Sequence, residues 1–412
     1  MSTIDFDELR SRFHLPDGKV YLDGNSLGAL PRYSEERLHE VISLEWADEL
    51  VSGWNTKQWI DLPLSVGEQI ARIIGAASGT VVCCDSLSIN LFKALTACLE
   101  LNEGRRLITL EDGQFPTDSY IADGLSRLLG ADRCCTQAVD IAALTPETLS
   151  ESAVLLLSHV DYKSGALRDM GAITGMAQSA GCLVIWDLAH SAGAIDMDLE
   201  ASQVDFAVGC TYKFLNGGPG APGFLYVAER HQQVQNPLPG WMGHARLFDF
   251  EAKYEAASGI KRFLTGTQSV LALSAVSASL SVFEELAMHD VRARSLALTG
   301  HFITGWEQSS VLQSHAALVT PLDGAQRGSQ VSLALETAFP VSQALIADGV
   351  IVDFREPNIV RFGFSPLYNT FSDADQAIAS LEAVLTSERY RDRKSTRLNS
   401  SHPPESRMPS SA

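Results

Sequence analysis

The sequence predicts an α/β fold, with a mostly parallel central sheet flanked by helices and a smaller α+β C-terminal domain. Three observations carry that expectation. Between about residues 80 and 230, short apolar runs alternate with amphipathic stretches of helical period. Two of the apolar runs end near chemistry-bearing residues, Asp187 and Lys213. After about residue 265 the alternation gives way to long helical patterns and then to short strands.

The expected strands of the large domain are Val81 to Cys83, Leu107 to Leu110, Ala153 to His159, Cys182 to Trp186, Phe206 to Gly209 and Gly223 to Val227. Between them, Ser88 to Leu101, Thr117 to Leu129 and Met170 to Ala180 read as helices. Strand–helix alternation implies a sheet covered on both faces, with ligands beyond the carboxyl ends of its strands. Further on, Gln268 to Met288 and Val291 to Glu307 read as long helices. Strands follow at Gln330 to Leu335, Ile351 to Phe354 and Ile359 to Phe364, with helices at Val341 to Asp348 and Asp373 to Thr386. The expected division is an N-terminal segment 1–48 packing with the small domain, a large domain 49–265, a small domain 266–392 and a tail 393–412.

The tail breaks the pattern. Its Ser, Pro and Arg content carries no hydrophobic period, and it reads as disordered and foreign to the fold, like frameshifted or vector-derived read-through.

Composition narrows the function. The chain has 412 residues, 45% of them hydrophobic, and a net charge of −19. That charge repels nucleic acid and anionic membranes, so neither is an expected partner. No apolar run approaches the length of a membrane span, and the acidic opening Met1-Ser-Thr-Ile-Asp-Phe-Asp-Glu has no signal-peptide character, so a cytoplasmic location is expected. Seven cysteines without a Cys-x-x-Cys pair suggest neither a disulfide framework nor a metal site.

The chemistry centres on Cys182-Leu-Val-Ile-Trp-Asp187-Leu-Ala-His190 and Cys210-Thr-Tyr212-Lys213-Phe-Leu-Asn-Gly-Gly. An acid and a lysine at neighbouring strand ends are what pyridoxal phosphate requires. The lysine holds the aldehyde as a Schiff base, and the acid keeps the pyridine nitrogen protonated. An isolated lysine after a strand is usually a surface residue, and Asp187 alone reads as a helix cap. The apolar approach and the glycines after Lys213 reverse those odds. His190 is placed to stack on a ring or to hold Asp187. Asp85-Ser86-Leu87-Ser88 offers backbone amides and hydroxyls at a helix start for a phosphate. Phe115-Pro116-Thr117-Asp118 adds an aromatic face and a second acid, and Tyr212 and Trp241 are further donors. Arg361, on a C-terminal strand, fits either an α-carboxylate or a domain-stabilising ion pair.

Together these motifs resemble the kynureninase family. The resemblance rests on Tyr21-Leu-Asp-Gly-Asn-Ser-Leu-Gly28, Ser88-Ile-Asn-Leu, Phe115-Pro-Thr-Asp118, Trp186-Asp-Leu-Ala-His-Ser-Ala-Gly193, Cys210-Thr-Tyr-Lys-Phe-Leu-Asn-Gly-Gly-Pro-Gly220, Gly240-Trp-Met-Gly-His244 and Arg361-Phe-Gly-Phe-Ser-Pro-Leu-Tyr368. It runs from about Phe6 to Tyr390 with the motifs in order. It implies a fold-type-I, pyridoxal 5'-phosphate-dependent homodimer that hydrolyses L-kynurenine, or 3-hydroxy-L-kynurenine in close relatives. By motif match it makes Lys213 the Schiff-base lysine and Asp187 the pyridinium partner, with His190 and Phe115 flanking the ring. Leu87 (by its backbone amide), Ser88 and Tyr212 hold the phosphate, and Tyr212 is a candidate proton carrier. Ser158, Trp241 and Thr267, with Pro116, Thr117 and Asp118, complete the pocket, and Arg361 takes the substrate carboxylate. Cysteine desulfurases share the Asp/His/Lys framework, but they place a sulfur-accepting cysteine after the lysine, and no cysteine follows Lys213 here.

Overall fold

The computed structural model describes residues 4–392. The expectations for residues 393–412 lie outside the described residues.

The central sheet has seven strands: β1 (Val81–Cys83), β2 (Leu107–Glu111), β3 (Cys135–Val139), β4 (Ser152–Ser158), β5 (Leu183–Asp187), β6 (Phe206–Cys210) and β7 (Gly223–Val227). Their order is β1-β7-β6-β5-β4-β2-β3. The sheet is mixed, since β7 runs antiparallel to both β6 and β1 while β6, β5, β4, β2 and β3 are mutually parallel. The carboxyl ends of β4, β5 and β6 therefore share one edge, where Ser158 pairs with Asp187 and Asp187 with Val208.

Side-chain alternation explains why these runs are strands. Leu155, Leu157, Val184, Trp186, Ala207, Phe224 and Tyr226 join one buried cluster, and Val154, Leu156, Ile185, Phe206, Val208, Leu225 and Val227 join another. Each strand is apolar on both faces because helices cover both. Helices α2 (Leu62–Ile74), α5 (Met170–Ser179) and α6 (Val270–Leu280) contribute to the first cluster, and α3 (Leu87–Leu101) and α4 (Pro116–Leu129) to the second. Helix α1 (Arg32–Glu40) lies against α6, where Ser34 Oγ donates to Ala275 O at 3.2 Å.

The C-terminal sheet is antiparallel, in the order β8 (Ala317–Leu318), β9 (Gln330–Ala334), β11 (Ile359–Gly363), β10 (Asp353–Arg355). Its two faces differ in kind. Val331, Leu333, Val360 and Phe362 pack with α7 (Met288–Gln308), α8 (Ala338–Ala347) and α9 (Phe371–Thr386). Gln330, Ser332, Arg361 and Asp353 alternate with them and form a buried polar face. Val20 and Leu22 belong to this smaller core, and Val20–Tyr21 pairs in parallel with Val350–Ile351.

Two expected elements differ and one strand was not expected. Gln268 to Met288 is not one helix, because α6 ends at Leu280, a single tight turn covers Ser281–Phe283, and α7 begins at Met288. Ile351 to Phe354 is not one strand, because Val350–Ile351 pairs with the N-terminal segment and Asp353–Arg355 with β11. Strand β3 went unanticipated, since it is a half-buried edge strand with only Cys135, Thr136, Gln137, Ala138 and Val139 to signal it.

Candidate active site

The turn after β6 is fixed before any ligand is considered. Thr211 Oγ1 donates to Pro222 O at 2.6 Å, Asn216 N to Lys213 O at 2.9 Å, and Gly217 N to Thr211 O at 2.8 Å. The N-terminal segment closes over it, with Gly28 N donating to Tyr212 O at 2.8 Å. A Cβ at Gly28 would overlap Lys213 O and Asn216 Oδ1, so the last glycine of Leu-Asp-Gly-Asn-Ser-Leu-Gly is dictated by close approach to the lysine's own backbone.

Lys213 is half-buried, and its Nζ lies 5.9 Å from the Phe115 ring centroid and 6.0 Å from that of Tyr212. Burial lowers its pKa, and Cys210 and Asp187 oppose that shift. Asp187, at the end of β5, is buried, and its Oδ1 accepts from Ala189 N at 2.8 Å. Burial raises its pKa, against the pull of Ala189 N–H and Lys213. Ser158 is buried beside it at the end of β4. Asp118, fully buried in the first turn of α4, has no hydrogen-bond partner for either carboxylate oxygen. Burial, then the charge of Asp187, raises its pKa well above the usual range, and Lys213 opposes this. His190 is buried with Nδ1 unpaired and is held neutral by burial and by the charges of Lys213 and Arg361.

The aromatic wall is Phe115, exposed at the edge and set edge-on to Tyr162 at 5.3 Å between centroids. Pro116 and Thr117 follow it as the opening residues of α4. Leu87 and Ser88 open α3, capped by Ser86, whose Oγ accepts from Ile89 N at 3.4 Å. First-turn amides have no intrahelical acceptor, so this helix start is an anion site in waiting. A Cβ at Gly223 would lie 2.6 Å from Leu87 N, so a side chain on β7 would fill the cradle. The Tyr212 hydroxyl is kept protonated by Cys210 and by burial.

These residues fit pyridoxal phosphate on structural grounds. Two buried carboxylates crowd one amine, and the oxygens of Asp118 and Nδ1 of His190 lack partners. A cationic ring, its hydroxyl and its phosphate would meet those needs.

Arg361 is 1% exposed. Its Nε donates to Asp353 Oδ1 at 2.7 Å, its Nη2 to Asp353 Oδ2 and, at 3.2 Å, to Ser26 Oγ, and its Nη1 to Tyr162 O at 2.6 Å. Of the two roles the sequence left open, the ion pair is thus present in the fold. Trp241 and Thr267 lie on the segment 236–268. Trp241 is 39% exposed, and Thr267 lines a cavity of about 240 Å³ with Cys84, Asp85, Gly220 and Pro222. Neither is joined by a described contact to Lys213.

Sequence reasoning missed Asp353, Arg355, Asp23 and Gln330. Gln330 lies beside His190, whose charged form it favours, and Asn25 Nδ2 donates to its Oε1 at 3.1 Å. Two-residue alternation from Asp353 to Arg355, facing Arg361 across an antiparallel pair, was the available signal.

Residues 291–381 match the family model described as the kynureninase C-terminal domain. The kynureninase of Burkholderia pseudomallei (strain 1106a) is 46% identical over 388 residues, 93% of each chain. Among solved structures, the apo cysteine desulfurase of Thermococcus onnurineus NA1 superposes with a TM-score of 0.80 at 16% identity, covering 94% of this chain and 100% of its own. A C-DES variant with glycine covalently linked to its pyridoxal phosphate gives 0.78 at 17% identity, covering 92% and 99%. At such identities the two structures speak to the fold, and it is that of the fold-type-I enzymes.

Proposed function

The chain belongs to the kynureninase family, and we propose that the sheet edge carrying Lys213, Asp187 and Asp118 is where it performs that family's reaction. A kynureninase hydrolyses L-kynurenine to anthranilate and L-alanine, a step of tryptophan degradation that also leads toward NAD. The cofactor, pyridoxal 5'-phosphate, supplies the electron sink when bonds at the substrate's Cα and between Cβ and Cγ break.

In our reading, Lys213 would hold the cofactor through its aldehyde carbon, and its amine would stand beside the substrate Cα. That amine would take the Cα proton, a role that its lowered pKa favours. Asp187 would hold the ring nitrogen as an ion pair, offsetting the burial that otherwise disfavours its charge. Phe115 and His190 flank the ring, and Asp118 and Ser158 offer it hydrogen bonds. The amides of Leu87 and Ser88 and the Tyr212 hydroxyl receive the phosphate, and Tyr212 carries a proton at its oxygen. Arg361 receives the substrate α-carboxylate.

One observation carries this reading: buried Asp187 ends β5, Lys213 stands in the turn after the neighbouring β6, and each charge favours the other. The test is to incubate the protein with kynurenine or 3-hydroxykynurenine and follow anthranilate or 3-hydroxyanthranilate fluorescence. Turnover is expected, and Lys213→Ala should abolish it together with the visible absorption of the lysine-bound cofactor. Near-normal turnover in that variant would remove Lys213 from the chemistry. Amino transfer to a keto acid in place of hydrolysis would point to a class V aminotransferase.

We also infer a cytoplasmic homodimer. Exposed Ile42, Leu44, Trp46, Leu50 and Val51 on one segment support an interface. The seven free cysteines support a reducing compartment. Among the described residues no single helix is long and apolar enough to cross a membrane. The division at 48, 265 and 392 remains our proposal. The place of Val20 and Leu22 in the smaller core supports the N-terminal part, although α6 packs with the larger core.

A further inference from the structure

Behind Arg361 lies a buried group of charges that the reaction scheme does not use. Asp353 is 3% exposed and receives both edges of its bonding from guanidinium groups. Arg361 donates through Nε and Nη2, and Arg355 Nη2 lies 2.8 Å from Oδ2. Ser26 Oγ also donates to Oδ2, at 2.8 Å. Asp23 is buried nearby with Oδ1 unpaired, and Arg355 Nε is buried and unpaired too. Three chain segments meet here: the N-terminal Leu22-Asp23-Gly24-Asn25-Ser26, strand β10 and strand β11.

A guanidinium has five N–H donors. Arg361 commits four of them, two to Asp353, one to Ser26 and one to Tyr162 O, which leaves one on Nη1. The side-on pairing with Asp353 thus fixes the plane of the fork without consuming every donor. The charges sum in a simple way. Arg361 and Arg355 give +2 and Asp353 gives −1, so the trio carries +1, and an ionised Asp23 brings it to zero. A substrate carboxylate entering beside a neutral Asp23 leaves the group neutral. Beside an ionised Asp23 it leaves a buried negative charge, which is costly.

We propose that Asp353 is a positioning residue for Arg361 in carboxylate recognition, and that Asp23 gates that recognition by setting the net charge of the group. The inference rests on the reading that Arg361 receives the substrate carboxylate. The groups facing Asp23 and the guanidinium pair favour the gate. Tyr21, Tyr368 and Tyr162 are phenols, and Tyr21 and Tyr368 are pushed further toward the neutral form by burial. His190 is held neutral, and the Lys213 amine is less basic than usual. Burial, then the charge of Asp353, moves the Asp23 carboxyl up to about 7, so it titrates in the working range.

The test compares KM for kynurenine, and the dissociation constant of L-alanine read from the visible absorption of the holoenzyme, between pH 6 and 9. In wild type both should weaken with rising pH, by about tenfold if the carboxylate shifts Asp23 by one pKa unit. Asp23→Asn should remove that pH-dependent difference, with Asp23→Ser as the alternative if the amide does not fold. Asp353→Asn should raise KM about tenfold or more, a larger change than in kcat, and Asp353→Glu should recover part of it. Identical pH profiles in wild type and both Asp23 variants would overturn the gate. Loss of kcat and cofactor content without a change in KM in Asp353→Asn would overturn the positioning role. Arg361→Lys is run in parallel. If it leaves KM unchanged, the carboxylate reading itself fails; if it raises KM while Asp353→Asn does not, only the positioning role of Asp353 fails.

Discussion

Arg361 shows why residue chemistry needs a fold before it can be assigned. From the sequence a guanidinium on a strand fits a carboxylate or an ion pair equally, and the fold supplies the ion pair with Asp353 while leaving a donor over. Lysine at this position keeps the charge but loses the planar fork. Arg361→Lys should therefore raise KM for kynurenine at least about tenfold while cofactor content stays near wild type, measured by steady-state kinetics and by absorbance. Asp23 makes a separate prediction about stability. Its carboxyl is raised to about 7 in the fold, above its unfolded value near 4, so the folded state holds the proton more tightly. Its contribution is fully present below the unfolded value and is lost as pH rises through about 7. Asp23→Asn should consequently lose less thermal stability than wild type between pH 5 and pH 8, by about 1 kcal/mol or more, in calorimetric melts. Equal losses would show that Asp23 does not titrate in the folded state.

At the scale of elements, the strands that carry the site were legible because they are apolar on both faces and end in polar residues, as β5 does at Asp187 and β4 at Ser158. The elements that were misread fail for local reasons. Nothing in Ser281-Val-Phe-Glu-Glu-Leu-Ala breaks a helix by composition; past the turn, α7 starts on the larger core at Val291 and runs on into the smaller one at Leu298, Phe302 and Ile303. The polar face of the small sheet was illegible as a site. Gln330, Ser332, Asp353 and Arg361 look like an ordinary solvent-facing alternation, and the N-terminal segment together with the turn around Tyr162 packs over this face, so that all four are buried. Thr267 came from resemblance alone and Trp241 was also read as a donor in its own motif, and the fold sets both on the segment 236–268, with Thr267 lining a cavity beside Asp85 and the glycine turn after Lys213. The capped start of α3 carries a prediction of its own. Ser86→Ala removes the acceptor for Ile89 N and should cost about 1 kcal/mol of stability. It should also weaken cofactor retention during dialysis, since the Leu87 and Ser88 amides lose their fixed orientation.

At the scale of the molecule, the N-terminal segment ties the parts together. Gly28 presses on the Lys213 turn, Asn25 reaches Gln330, Ser26 reaches Asp353, and Val20 and Leu22 enter the smaller core. The Lys213 turn, the Arg361–Asp353 pair and the packing of the smaller core thus share one stretch of chain. The exposed stretch from Ile42 to Val51 predicts self-association. Sedimentation should find a dimer at micromolar concentration, and Trp46→Glu with Val51→Glu should shift it toward monomer; an unchanged monomer in both proteins would count against the interface. The claim on which all else rests is that Lys213 is the amine joined to the cofactor, with Asp187 across the ring. Borohydride reduction of the yellow holoenzyme, followed by proteolysis and mass spectrometry, tests it most directly. The account predicts a single pyridoxyl phosphate adduct on the peptide containing Cys-Thr-Tyr-Lys213; an adduct on any other lysine, or none, would contradict it.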